Sequence, residues 1–380
     1  MNDLKILFPR VAIVVDQMTA LGGADIELFS VLKILPHADI YTILFKKDKY
    51  PPIKQKIYTS FVQRKFKYIS PRHLKIFNPL AYESFNLDGY DLVISISAGP
   101  ARGVITGIYQ PHVALVMTPP RSLWDNELNI RGSKLKWIYK PISKILNTYL
   151  RMWDWSISRR VDYWVANSKY IQKKIKRTYK EDSTLIYPGI RNIDIKKENL
   201  SKKYDISKKY FLVVSRLYDY KRVDWAIEAC IKANKKLLIV GEGPDEKYLR
   251  NIAKGNRNIE FFGFLNYTDI LSLYKNAQAL LFCGIEDFGL VPVEAMACGT
   301  PVLGYKEGGL LETVLEGKTG EFFNTKEELI HLLKNFDKTI YNEKDIIKQS
   351  KKFTEDRFLS NLKKYLINVY KEEKSKGSRR

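Results

Sequence analysis

Two glutamates eight positions apart, Glu286 and Glu294, lie in the stretch EDFGLVPVEAMACGTPVLGY. A carboxylate can accept paired hydrogen bonds from the vicinal hydroxyls of a sugar or ribose. Gly289 marks a predicted helix start, and Pro292 fits the first turn of that helix. Free backbone N–H groups at a helix start favour an anion. The stretch is suited to two hydroxyl-bearing rings around a phosphate, although a helix with an acidic start and one exposed glutamate fits equally.

A second set of candidate residues is cationic. The segment SRLYDYKR places Arg216 and Lys221 in a loop after the strand predicted at 210–217. A guanidinium and an ammonium at this spacing can clamp a diphosphate, and the alternative is two ordinary surface cations. The nearby GEGP at 241–244 lets backbone approach a ligand but lacks the full G-x-G-x-x-G fingerprint of dinucleotide sites.

The first half of the chain contributes two more candidate loops. LGGADIE (21–27) is a Gly-Gly loop that opens a helix after the strand predicted at 10–16, and its alternative interpretation is a plain tight turn. TPPRSLWD carries Arg121, Trp124 and Asp125, residue types that sugar-binding and anion-binding surfaces use, although a packed loop is equally compatible. The sequence has no Ser-His-Asp arrangement, and its four histidines lack metal-ligand spacing.

The elements that must position these residues alternate between apolar strands and amphipathic helices. Continuous β-branched strands between helices predict parallel sheets covered on both faces. The strands are predicted at 10–16, 38–45, 90–97, 112–118, 162–168, 183–190, 210–217, 236–243, 258–265, 278–284, 300–305 and 319–323. Two helices carry predicted caps, Ser168 for 168–179 and Thr268 for 268–277.

This pattern predicts two domains joined by the polar, Lys-rich linker at 191–205. They are an N-terminal Rossmann-like domain (1–190) and a C-terminal Rossmann-like domain (191–351). A last amphipathic helix is expected at 352–374, and a disordered basic tail follows at 375–380. Open α/β sheets bind ligands at the carboxyl ends of their strands, so a cleft between the two rims is the expected site.

Charge and composition limit the partners. The chain has 64 Lys and Arg against 42 Asp and Glu, a net charge of +22. Residues 46–75 carry ten basic groups and one acid, and residues 131–177 carry thirteen and two. Such a surplus suits nucleic acid, phosphorylated ligands or an acidic membrane, or is simply a solvated surface. Three cysteines without a C-x-x-C pair, no signal-peptide pattern and no apolar run of about 18 residues predict a cytoplasmic location.

Several motifs together resemble the family 4 retaining glycosyltransferases, which have the GT-B fold. EDFGLVPVEAMACGTPVLGYKEGGLLETV resembles their E-x7-E region, SRLYDYKRVDWAIEA their Arg…Lys diphosphate motif, IVGEGPD their Gly-rich strand end and VVDQMTALGGADIE their first Gly-Gly loop. The match runs in the family's order from about residue 10 to 325. The resemblance implies an α/β protein with two Rossmann-like, doubly wound domains that face a central cleft. It also implies that 1–190 is the acceptor-side domain, that 191–351 is the nucleotide-sugar-binding domain, and that the helix at 352–374 crosses back to the N-terminal domain.

The resemblance also implies roles for the charged residues. Glu286 would hold hydroxyls of the donor sugar and Glu294 the nucleotide ribose, while Arg216 and Lys221 would bind the diphosphate. Glu286, Arg216 and Lys221 are therefore the expected catalytic residues. The other donor-binding positions offer backbone N–H groups, a close backbone approach or a surface for the base: Gly23, Gly241, Phe264, Phe288, Gly289 and Leu290. Arg121, Trp124 and Asp125 are expected on the acceptor side.

The first half is similar to a mannosyltransferase-like subgroup through LPHADIYTIL, YDLVISIS, MTPPRSLWD and LIYPGI. Members typically carry His where this chain has Met117, and often carry Ser-His where it has Ser97-Ala98. The resemblance implies retaining transfer of a hexose, mannose being favoured, from a GDP- or UDP-sugar to a saccharide or lipid-linked acceptor in glycan biosynthesis.

No cofactor is expected, and no metal, because an Asp-x-Asp pair is missing from the active-site region. The segment 134–160 interleaves aromatic and aliphatic residues with Lys and Arg, which favours peripheral association with an anionic inner membrane face, and an ordinary core helix is the alternative. Two other functions stay open: a non-catalytic GT-B scaffold that binds a nucleotide-sugar, and a basic nucleic-acid-binding protein. The second is disfavoured because RNP-type, helix-turn-helix and zinc motifs are missing.

Overall fold

The chain forms two compact units in a computed structural model that describes residues 2–20, 22–65, 73–125, 136–194 and 209–377. The first unit runs to Pro188 and also contains the chain from Asp356 onwards. The second unit is Gly189–Glu355. Most of the linker predicted at 191–205 lies outside the described residues.

The first unit is built on a parallel sheet with seven described strands in the order β3-β2-β1-β4-β5-β6-β7. The central strands are buried along their whole length, which explains their uninterrupted apolar sequence. The strands are β1 (Val11–Val15), β2 (Asp39–Thr42), β3 (Ile57–Thr59), β4 (Leu92–Ser97), β5 (His112–Val116), β6 (Tyr163–Ala166) and β7 (Thr184–Leu185).

The helices of this unit vary in length. They are α1 (Asn2–Leu7), α2 (Gly23–Ile34), α3 (Phe61–Lys65), α4 (Asn78–Glu83), α5 (Arg121–Trp124), α6 (Lys136–Ile157) and α7 (Lys169–Tyr179). The predicted Ser168 cap is confirmed, because the Ser168 hydroxyl accepts a hydrogen bond from the Ile171 N–H at 3.0 Å.

The second unit repeats the design with six described strands in the order β10-β9-β8-β11-β12-β13. The strands are β8 (Phe211–Val214), β9 (Leu237–Val240), β10 (Ile259–Gly263), β11 (Leu280–Phe282), β12 (Val302–Tyr305) and β13 (Gly320–Phe323). The helices are α8 (Val223–Ala233), α9 (Glu246–Ile252), α10 (Tyr267–Asn276), α11 (Leu290–Ala297), α12 (Leu310–Thr313), α13 (Lys326–Lys334) and α14 (Glu343–Ser350).

The cap predicted at Thr268 is wrong. Helix α10 begins at Tyr267, and the side chain of Asn266 accepts a hydrogen bond from the Asp269 N–H at 2.9 Å. Asn is as good an N-cap residue as Ser, so the Asn266 side chain caps the helix two residues before Thr268.

The last helix, α15 (Glu355–Gly377), packs on the core of the first unit. Phe358, Leu362, Leu366 and Val369 recur at helical spacing, so they lie on one face and are buried against that core. The helix extends through residues 375–377, which the sequence predicted to be disordered, while 378–380 lie outside the described residues. Among the described residues, we find no helix with the length and apolarity that a membrane span requires.

Candidate active site

The candidate residues of the second unit lie at the carboxyl edge of its sheet. Phe264 follows β10, Gly241 follows β9, Arg216 follows β8, and Glu286 follows β11. These four strands are consecutive neighbours in the sheet. Because parallel strands end at the same edge, residues far apart in sequence are brought to one surface.

An ion pair between Lys221 and Glu286 joins the loops that follow β8 and β11. These strands are adjacent, and the chain reverses its winding direction between them, which is where open α/β sheets bind ligands. The two side chains are only 13% and 21% exposed. Gly284 permits the two loops to approach each other closely, because a Cβ at this position would lie 2.9 Å from the Lys221 Cα. Two of the three predicted catalytic residues are therefore in contact.

Arg216, the third predicted catalytic residue, is exposed. Its guanidinium lies 5.5 Å from the centre of the Tyr218 ring and 3.5 Å from the Tyr220 hydroxyl. Both tyrosines come from the turn that ends at Lys221, and the Lys221 N–H is bonded to the Tyr218 carbonyl at 3.0 Å. This short loop therefore carries two cations. Arg216 is exposed to solvent, and Lys221 is paired with Glu286.

The backbone of Glu286 is held by a Gly-Gly pair that the sequence analysis did not select. The Gly309 N–H donates to the Glu286 carbonyl at 2.8 Å, and Gly308 forms a β-bridge with Glu286. Side chains at either glycine would overlap the backbone of residues 286–288. The signal was available, since this Gly-Gly comes shortly after the strand predicted at 300–305, behind Lys306 and Glu307.

Helix α11 begins beside Glu286. Gly289 precedes its first residue, Leu290, and has a φ of 92°, which favours glycine. Pro292 lies in the first turn, as predicted. N–H groups of a first turn have no acceptor within the helix, so this end favours an anion. Phe288 is buried with its ring edge-on to Phe353, 5.5 Å between ring centres, and this packing holds the turn.

Glu294 lies on α11 in a partly buried site lined by tyrosines. Its removal from solvent raises the pKa of the carboxyl group to about 7, opposed by a hydrogen bond from Tyr267 and by the charge of Arg191. The Arg191 guanidinium stacks on the Tyr267 ring at 4.0 Å. Arg191 and Tyr267 were not selected from the sequence, because nothing local to either residue indicates proximity to Glu294.

Gly241 and Phe264 occupy neighbouring strand ends. The Gly241 N–H donates to the Gly263 carbonyl at 2.7 Å, and a side chain at Gly241 would overlap the backbone of Ser215. This glycine is thus required for packing between loops. Phe264 is 81% exposed, and its N–H donates to the Glu242 carboxylate at 3.3 Å, so an aromatic face is available to a planar ring.

In the first unit, Gly23 is the first residue of α2, after the N-cap Gly22. The Asp25 carboxylate accepts from the Gly22 N–H at 2.8 Å and from the Tyr50 hydroxyl at 2.9 Å, which fixes the start of the helix. A Cβ at Gly23 would meet nothing within 4 Å, so the space beside this helix start is open.

Asp16, another residue not selected from the sequence, connects β1 to the loop after β4. Its carboxylate accepts from the Ser97 hydroxyl at 2.6 Å and from the N–H groups of Ala98 and Ala101 at 2.7 and 3.0 Å. The Met117 N–H donates to the Ser97 carbonyl at 2.9 Å. The two positions that depart from the mannosyltransferase-like pattern are therefore joined through Ser97.

The three predicted acceptor-side residues lie on or directly after α5. The Trp124 indole donates to Asp154 at 2.7 Å, and Asp154 forms a fully buried ion pair with Arg102 at 2.9 Å. Asp125 pairs with Lys174 at 2.9 Å. Trp124 and Asp125 thus anchor α5, and Arg121 is partly exposed at its start.

The site of the second unit is suited to binding an anion and hydroxyl groups. Arg216, Lys221 and the start of α11 can bind an anion, and the carboxylates of Glu286 and Glu294 can bind hydroxyl groups. Within the ranges that the structure covers, His, Cys, Asp and Glu do not gather in threes that could hold a metal ion.

Residues 196–355 match the family described as Glycosyl transferases group 1. A curated relative, an uncharacterised glycosyltransferase of Methanocaldococcus jannaschii, is 29% identical over 180 residues, which is 45% of this chain and 49% of that protein. The chain spans about half the length of the curated relatives it matches.

Similar solved structures cover nearly the whole chain. Sucrose-phosphate synthase from Thermosynechococcus elongatus superposes with a TM-score of 0.72 at 18% identity, over 96% of this chain and 99% of that one. Anabaena HepE in complex with UDP gives 0.66 at 18% identity, over 94% and 100%. The predicted α/β, GT-B fold with two Rossmann-like units is confirmed.

Proposed function

We propose that this protein is a retaining glycosyltransferase that transfers a hexose, mannose being favoured, from a nucleotide-diphosphate sugar to a saccharide or lipid-linked acceptor. The observation that carries the proposal is the contact between Lys221 and Glu286 at the carboxyl edge of the sheet, in the segment that matches Glycosyl transferases group 1. A cation for the diphosphate and a carboxylate for the sugar stand side by side there, next to a helix start that favours anions.

In the proposed reaction, Arg216, Lys221 and the start of α11 bind the diphosphate. As the bond between the anomeric carbon and the phosphate oxygen breaks, these groups stabilise the charge that develops on the leaving diphosphate. The acceptor oxygen bonds to the anomeric carbon on the same face, and the departing phosphate oxygen takes the acceptor's proton. No metal and no cofactor enter this scheme.

The ion pair suggests how Lys221 and Glu286 would respond to the donor. Lys221 neutralises Glu286 in a poorly solvated position. A diphosphate is a stronger partner for the ammonium, so donor binding would redirect Lys221 and release the carboxylate to accept hydrogen bonds from the sugar hydroxyls.

A product assay tests the proposal. The full-length protein is incubated with GDP-mannose, UDP-glucose, UDP-galactose or UDP-N-acetylglucosamine and with soluble or lipid-linked saccharide acceptors. The UDP complex of HepE supports including the uridine donors. We expect one donor to yield a product whose anomeric configuration, read by NMR, is that of the donor. Saturable binding of a nucleotide-sugar without turnover across the acceptors would favour the scaffold alternative.

We further propose that the enzyme works at an anionic membrane surface, on the evidence of helix α6. Its described part exposes four large apolar side chains at helical spacing: Ile145 (73% exposed), Tyr149 (50%), Met152 (68%) and Trp155 (45%). Lys144 and Arg151 are exposed beside them. An apolar face flanked by cations suits a helix that lies in the interface with anionic lipids.

Liposome co-sedimentation tests this association. Binding is expected with anionic vesicles and should fall as salt rises or as neutral lipid replaces anionic lipid. Ile145→Ser with Met152→Ser should weaken it, while the control pair Leu311→Ser with Ile340→Ser, on exposed positions of the second unit, should not. A wild-type protein that stays in the supernatant with anionic vesicles at low salt would favour a soluble saccharide acceptor.

A further inference from the structure

A cavity lies in the first unit, at the amino edge of its sheet. It has a volume of about 370 Å³. Its walls come from the residues that lead into β1 and β2 and from the loop before β4. Strand β1 has five residues, so this amino edge is roughly 16 Å from the carboxyl edge at about 3.3 Å per residue. None of the predicted site residues lines it.

The floor of the cavity is a chain of hydrogen bonds that holds a carboxylate in place. The Tyr90 hydroxyl donates to Asp39 at 2.6 Å, and the Tyr41 hydroxyl lies 3.0 Å from the Tyr90 hydroxyl. The Tyr41 and Tyr90 rings meet edge to face, with 5.9 Å between their centres. Both tyrosines line the cavity. Tyr41 is only 6% exposed and its ring stacks on Tyr58, so the tyrosines fix the floor and the position of Asp39.

His37 lies on the wall and is held in place. Its Nε2 lies 2.9 Å from the Phe8 carbonyl oxygen, and its Nδ1 is shielded from solvent. The His37 ring therefore shapes the wall, and the hydrogen-bonding groups offered to a ligand are those of Asp39 and of the rim.

The rim carries one positive and one negative side chain, Arg10 and Asp88. The arrangement depends on Gly89, which has a φ of 79° and whose Cβ would lie 2.8 Å from a guanidinium nitrogen of Arg10. A simple anion would meet the carboxylates of Asp39 and Asp88, and a simple cation would meet Arg10. A neutral ligand with many hydroxyl groups can donate to Asp39 and accept from Arg10.

We propose that this cavity binds one sugar ring of a glycan, as a saccharide site separate from the transfer site. Its volume is at the lower end of the roughly 300–1,000 Å³ typical of small-molecule sites, which suits a single ring. The charged groups Arg10, Asp39 and Asp88 would contact the hydroxyls of the sugar. This proposal does not depend on the transferase activity, since it concerns binding at the amino edge of the first unit's sheet.

Ligand-observed NMR titrations test the site directly. The full-length protein is titrated with the methyl α-glycosides of mannose, glucose and galactose and with N-acetylglucosamine, all in the presence of saturating GDP and UDP. We expect one sugar to bind with a Kd of about 1 mM. Arg10→Ala with Asp88→Ala, at exposed rim positions, should weaken binding at least tenfold, while the control Arg159→Ala with Asp182→Ala, also exposed, should leave it unchanged.

The proposal is overturned if no sugar binds saturably, or if the rim variant binds as well as the wild type.

Discussion

Lys221→Ala separates a structural effect from a catalytic one. Removing the ammonium leaves Glu286 with 21% exposure and without the lysine, so we expect a loss of about 2 kcal/mol of folding free energy, less than for a fully buried pair. If Lys221 also stabilises the leaving diphosphate, kcat should fall about 100-fold, which corresponds to about 2.7 kcal/mol of barrier.

The double variant Lys221→Met with Glu286→Gln distinguishes the two effects. Both charges are removed together, so most of the lost stability should return, whereas activity should stay at or below that of Lys221→Ala. Stability is measured by urea unfolding and kcat by product formation. Lys236→Ala is the matched control, because Lys236 pairs with Glu260 at 2.9 Å in the same unit but at the amino edge of the sheet.

Two results would refute this reasoning. If folded Lys221→Ala keeps kcat within a few-fold of the wild type, Lys221 does not act on the leaving group. If the double variant recovers activity along with stability, the pair is structural and the carboxylate has no role toward the sugar.

Three further predictions follow from the same site. Arg216 is exposed, so Arg216→Ala should lower kcat about 100-fold and leave the unfolding midpoint in urea unchanged; a midpoint that falls with kcat would contradict a purely catalytic role. Glu294 has a raised pKa of about 7, so the folded state binds more protons than the unfolded state between about pH 4.5 and 7 and loses stability as pH rises through that window. Glu294→Gln should flatten this fall, which amounts to at most about 3 kcal/mol between pH 4.5 and 8 by urea unfolding; an equal slope in both proteins would show that another group is responsible. Finally, transfer activity should persist in excess EDTA, and complete loss that Mg²⁺ or Mn²⁺ restores would contradict the metal-free scheme.

The pattern of strands and helices could be predicted from the sequence because it depends on local periodicity. The strand predicted at 10–16 is β1 (Val11–Val15), and that at 210–217 is β8 (Phe211–Val214). A run of buried apolar residues between helices is visible in the sequence itself. Gly289 and Pro292 at the start of α11 were also predictable, since glycine and proline restrict the backbone locally.

Strand ends and caps were less predictable, because they depend on competing partners. The strand predicted at 183–190 is reduced to two residues of β7, Thr184 and Leu185. Asn266 acts as the cap of α10 two residues before Thr268. The start and end of an element are decided by which polar group reaches a free N–H or carbonyl first, and several residue types can do so.

The sequence determined which residue types are available for chemistry, and the tertiary structure decided which of them meet. Glu286 and Lys221 are 65 positions apart, and only the adjacency of β8 and β11 brings them into contact. In the same way, Arg191 and Tyr267 surround Glu294 through long-range packing that leaves no local signature. Periodicity is a property of neighbouring residues, whereas the order of strands in a sheet, and with it each carboxylate's partner and pKa, depends on how the whole domain packs.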